Sequence, residues 1–154
     1  MLEGKDPMNE ALMERLQNFL FREDRASLVG SPATQEEIAH AEQQLNVRFH
    51  EDYVHFIRKF GGAYAGLAVH AFSNGSSIGN ETVADLTLDF REQYKELPIG
   101  DALQTGYVIS IDGSGDPIII DQSGKVFICH HDTGEVKLLA DSFEALIEEN
   151  FYEW

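Results

Sequence analysis

The sequence predicts an α+β fold: a mostly antiparallel β-sheet, a meander in the C-terminal half, with flanking helices. Three observations predict it. Apolar residues recur at helical spacing through residues 9–60, they give way to short apolar runs after residue 106, and the connectors between those runs are only a few residues long. Strands joined so tightly pair antiparallel, because a parallel pair needs a crossover of about a dozen residues or more.

The elements follow in order. Residues 9–21 read as a helix with Leu12, Leu16, Phe19 and Leu20 on one face, and Gly30-Ser31-Pro32-Ala33 breaks the helical pattern. A second helix starts at Thr34, which forms a capping box with Glu37, each side chain satisfying a free backbone N–H of the first turn. Ile38, Ala41 and Leu45 are its apolar face. A third helix, residues 51–60, carries Tyr53, Phe56, Ile57 and Phe60 on one stripe and stops at Gly61-Gly62. From Tyr64 the alternation of Leu67, Val69 and Ala71 suits a half-buried strand, and residues 73–79 read as a loop. A long helix is expected over 81–94, with Val83, Leu86, Phe90 and Tyr94 inward. The meander is expected over 107–111, 117–121, 126–130 and 136–139, joined by Asp- and Gly-containing turns. Asp141 or Ser142 caps a closing helix, with Phe143, Leu146, Ile147 and Phe151 inward.

At 154 residues the chain fits a single domain, expected over 8–154. Residues 1–7 read as a vector-derived leader ahead of a second start at Met8. A lone Cys129 excludes an internal disulfide, and no run of apolar residues is long enough to span a membrane. The expected compartment is the cytoplasm. Charge says most about partners. Against 11 Lys and Arg stand 27 Asp and Glu, a formal net charge of −16. Nucleic acid and anionic membrane surfaces both require cations, so neither is an expected partner. The imbalance is uneven: residues 1–80 carry a net −4 and residues 81–154 a net −12. Such a field attracts basic proteins and speeds their encounter, although it also serves plain solubility.

Candidate chemistry is sparse. Asp112-Gly-Ser-Gly-Asp116 hints at a calcium loop, but an EF-hand needs a Glu twelve residues from its first ligand and helices on both sides, and position 123 is Ser between strands. His130 and His131 are neighbours in an expected strand, so their imidazoles should point to opposite faces. Cys129 reads as a core thiol. No nucleophile elbow, phosphate loop or dinucleotide fingerprint occurs, so no catalytic residue, metal or cofactor is expected. The strongest candidate is a stripe of carboxylates on the fourth helix, Glu81, Asp85, Asp89, Glu92 and Glu96, spaced to share one face. With Asp112 and Asp116 of the meander they form the expected partner-binding set. A solvated outer face would look the same, but five like charges at such spacing repel by a few tenths of a kcal/mol per pair.

Three blocks in this order resemble the SMI1/KNR4 (SUKH) family. Residues 33–62 carry Glu37, Ile38, Glu42, Leu45, Asp52, Tyr53, Phe56, Phe60 and Gly61 at matching positions. Residues 106–132 match its strand, Gly-Asp turn, strand, Gly, strand run through Gly115, Asp116, Asp121, Gly124, Val126 and His131. Residues 139–151 match its closing helix through Ala140, Ser142 and Phe143. One departure is Phe49-His50, where the family usually has Leu-Pro. The resemblance implies an α+β fold without enzymatic activity. Many bacterial relatives look like immunity proteins that bind and neutralise a cognate toxin, often a nuclease, by stoichiometric contact. Fungal relatives act as scaffolds or regulators in cell-wall synthesis and signalling. An immunity protein with a basic toxin as partner is the leading expectation, and a scaffold or regulatory module the alternative. Neither the toxin nor the oligomeric state follows from the resemblance.

Overall fold

The computed structural model describes residues 8–153, so the expected leader and Trp154 lie outside the described residues. Three helices come first: α1 (Glu10–Leu20), α2 (Gln35–Leu45) and α3 (Glu51–Phe60), with a 3₁₀ turn over Glu23–Leu28. A two-stranded hairpin follows, β1 (Ala63–Tyr64) with β2 (Ala68–Val69), then α4 (Val83–Gln93) and α5 (Gly100–Thr105). The chain closes with β3 (Tyr107–Ile111), β4 (Pro117–Ile120), β5 (Val126–Cys129), β6 (Val136–Ala140) and α6 (Phe143–Asn150). No helix among the described residues is long and apolar enough to cross a membrane.

Local chemistry sets the helix ends. Thr34 and Glu37 make the reciprocal capping box, and Asn46 closes α2 in the left-handed region (φ 56°), which an Asn tolerates better than most side chains. The α3 helix ends on Gly61 at φ 65°. A Cβ there would sit 2.1 Å from the Ser31 carbonyl oxygen, so both the angle and the space demand glycine.

The four C-terminal strands form an antiparallel sheet in the order β3-β4-β5-β6. Strand alternation sends Tyr107, Ile118, Ile120, Val126 and Ile128 to one face, where they join the apolar sides of α1, α2, α3 and α6. Val108, Ile119 and Cys129 go to the other face, beneath Leu86 and Phe90 of α4 and Ile99 and Leu103 around α5. The larger core is rich in aromatics. Phe143 meets Tyr53 and Phe56 edge-on with centroids 5.5 and 5.4 Å apart, the favoured geometry for ring quadrupoles.

Thr87 fastens α4 to this sheet. Its buried hydroxyl donates to the Val83 carbonyl (2.7 Å) and accepts from the Val108 N–H of β3 (2.8 Å). Thr87→Val keeps the volume but leaves that N–H without a partner, so unfolding in urea should show a loss of about 1–3 kcal/mol. An unchanged midpoint would mean that water replaces the hydroxyl.

Four elements differ from expectation. The strand expected around 64–71 splits into the β1–β2 hairpin, because Gly66 (φ 88°) turns the chain back after two residues. Two short elements, α5 and the 3₁₀ turn, were not anticipated, since six residues are too few to display a period. The helix expected over 81–94 is shorter at both ends, and this bears on the acidic stripe.

Candidate functional site

Thr82, not Glu81, is the N-cap of α4. Its hydroxyl accepts from the Asp85 N–H (3.0 Å), while the Asp85 carboxylate accepts from the Thr82 N–H (3.1 Å). Glu81 therefore precedes the helix, and its carbonyl is held by Asn74 Nδ2 and by the His70 ring. At the other end α4 stops at Gln93, and Glu96 lies in the turn beyond it. The expected stripe of five on one helix thus becomes three helical carboxylates, Asp85, Asp89 and Glu92, with Glu81 and Glu96 placed outside the helix. The reason is local. A Thr with Asp three residues on is a stronger start signal than the apolar period that suggested 81.

All five side chains are exposed. Of the two cations in this segment, Lys95 and Arg91, the first pairs with Glu92 (2.8 Å). Arg91 turns inward instead. Its Nε and Nη2 donate to the carbonyls of Leu103 (2.8 Å) and Gly106 (3.2 Å), satisfying the C-terminal end of α5. Burial lowers the Arg91 pKa, yet a guanidinium starts so high that it remains charged at neutral pH. Among the described residues no Lys or Arg lies within ion-pair distance of Asp89.

The two meander carboxylates serve the fold. Asp112 Oδ1 accepts from the N–H groups of Ser114 and Asp116, both at 2.9 Å, an Asx turn that shapes the β3–β4 hairpin. Asp116 is buried, only 6% exposed. Its Oδ2 accepts from His130 Nδ1 (2.9 Å) and its Oδ1 from both the N–H (3.2 Å) and Nδ1 of His131. The expectation that the two imidazoles diverge is corrected here. β5 ends at Cys129, so both histidines lie in the following turn, where strand alternation no longer holds and both rings reach one carboxylate. Burial alone would raise the Asp116 pKa, but the hydrogen bonds from His130 and His131 outweigh it and lower the pKa below the ordinary carboxylate range. The neighbouring Cys129 thiol is fully buried and pushed up to about 11, first by burial and then by the Asp116 charge.

This cluster also anchors the acidic helix. The Tyr94 ring stacks on His131 (5.7 Å, 13° between planes) and on Phe90 (5.8 Å). The C-terminal end of α4 is so joined to the β5–β6 turn. Among the described residues no three His, Cys, Asp or Glu side chains are grouped to hold a metal ion.

A separate cleft of about 520 Å³ opens between the α2–α3 connection and the β4–β5 hairpin, with Glu42, Arg48, Glu51 and Asp121 in its walls. At its floor the Tyr107 hydroxyl accepts from the His50 N–H and meets His50 Nδ1, both at 2.9 Å, while His50 Nε2 donates to the Gln122 carbonyl (2.9 Å). In the neutral ring Nε2 must carry the proton, since a carbonyl can only accept, so Tyr107 donates to Nδ1. His50 stands where the resembling family has proline, and its ring now bridges α3 to the β4–β5 turn. Sequence reading missed this cleft because its walls come from segments far apart in the chain.

No curated protein matches the chain. The sequence profile of the SMI1 / KNR4 family (SUKH-1) matches residues 32–149, which takes in everything from α2 through most of α6. Over that span the helices, the Gly-closed α3, the four-stranded meander and the closing helix stand in the order the resemblance implied, and the chain belongs to the SMI1/KNR4 family (SUKH-1).

Proposed function

We propose that the protein is a cytoplasmic immunity protein that binds a cognate, basic toxin and neutralises it by stoichiometric contact. The observation that carries this reading is the exposed, weakly compensated row Asp85, Asp89 and Glu92 on α4, within a half of the chain that holds a net −12. A toxin that acts on nucleic acid carries phosphate-binding Lys and Arg, and an anionic surface competes for those groups. Family membership supports protein binding as the mode of action. The best-organised titratable cluster also supports binding over catalysis. The Asp116 carboxylate accepts three hydrogen bonds inside the fold, and the adjacent thiol is protonated at neutral pH.

The test is co-expression with the product of the neighbouring gene. Restored growth of cells carrying that gene, with recovery of a one-to-one complex, is the expected result. Co-purification without any growth effect would favour the scaffold role instead. Failure of both would remove the proposal.

A further inference from the structure

The sheet has two edges, and the structure treats them differently. At β3 the edge is occupied: the His70 N–H, just after β2, donates to the Ile109 carbonyl (2.8 Å), and the Val108 N–H donates to Thr87. β6 has β5 on one side and, among the described residues, no strand on the other. It is also uncovered, with Val136, Lys137 and Leu138 exposed in succession. An open edge is a row of unpaired backbone donors and acceptors, a template for another strand. Proteins commonly blunt such edges with charge, and Lys137 is the sole charged residue of β6.

The face of this edge is apolar. Leu138 lies opposite Phe127 and Val136 opposite Cys129, so both share the side of the sheet that α4 and α5 cover over β3 and β4. That cover does not reach β6, where Val136 is 39% and Leu138 47% exposed. Around the strand the charge is almost wholly negative. Asp132 and Glu135 precede it, and Asp141 follows it, all three exposed. A second copy of the chain would bring two bodies of net −16 together, whereas a cationic strand meets carboxylates at both ends of β6.

We propose that the β6 edge takes up an extended, basic strand of the protein partner, which extends the sheet by one strand and lays its apolar side chains over Val136 and Leu138. This rests on the proposed function's cationic partner and adds the place and mode of contact. The test uses two capped octapeptides, one alternating Lys and Val, the other Glu and Val, followed by amide hydrogen exchange and by NMR of the protein. The Lys–Val peptide should slow exchange of the β6 amides at least tenfold at saturation, and the Glu–Val peptide should leave it unchanged. The double variant Val136→Lys, Leu138→Lys alters exposed positions only, and should lose that protection while keeping the native spectrum elsewhere. If the Lys–Val peptide shifts the α4 resonances but not the β6 amides, the edge proposal falls and the cationic-partner reading survives. If neither peptide binds, both fall. Protection by both peptides alike, or protection that rises with protein concentration alone, overturns the choice of a basic partner strand.

Discussion

Asp116→Asn should lower the unfolding free energy by about 2–3 kcal/mol, because one buried charge answers two imidazoles and a backbone N–H, and hydrogen bonds to charged groups each contribute about 1.5–3 kcal/mol. For a chain of this size the midpoint of thermal unfolding should fall by about 4–12 °C. The amide keeps the shape but offers one acceptor in place of two, so at least one donor loses its partner. The pH dependence gives a second signature. The folded carboxyl has a pKa below its ordinary 3.8, so its contribution is fully present above that value and is lost as pH falls through the lower folded value. Wild-type stability should therefore drop on acidification from pH 5 toward the acid range of the carboxylates, and the Asn variant should drop less over the same window. Urea denaturation at a series of pH values measures both. Parallel pH profiles would show that Asp116 is not the group responsible.

The second large effect is on association. Asp89→Lys with Glu92→Lys should slow binding of the cationic partner about tenfold or more at low ionic strength, and added salt should erase the difference between variant and parent. Asp85 has to be handled differently. It closes the capping box on Thr82, and reversing it would destabilise α4 by about 1 kcal/mol as well as altering the field. Asp85→Asn removes the charge while keeping an acceptor for the Thr82 N–H, so the triple variant with Asn at that position isolates electrostatics from folding. Stopped-flow association across a salt series, with dissociation followed separately, is the measurement. Steering predicts a loss in the on-rate with little change in the off-rate. A loss confined to dissociation would place these carboxylates in the contact itself and remove the steering role.

Those two experiments address features that stood differently in the sequence. The helix periods of α1, α2 and α3, the capping boxes and the Gly-rich turns are local, and each element is written within a few neighbouring residues. The 51–60 helix and the 107–111 strand fall where the spacing puts them, and Ser142 caps α6 through its bond to the Ala145 N–H. The charge asymmetry is equally legible, since it is a count. The short α5 and the β1–β2 hairpin were not legible, because two to six residues carry no period and their form depends on Gly66 and on the carbonyls that Arg91 satisfies.

Sequence by itself determined the fold class, the family and the concentration of negative charge in the second half of the chain. Only the tertiary structure decided which carboxylates are available. It drew Asp116 into the interior between two histidines that local periodicity sent to opposite faces, turned Arg91 away from the acids, and left β6 open. Burial and pairing depend on which distant segments meet, and a side chain's charge is fixed by its identity while its availability is fixed by its neighbours in space.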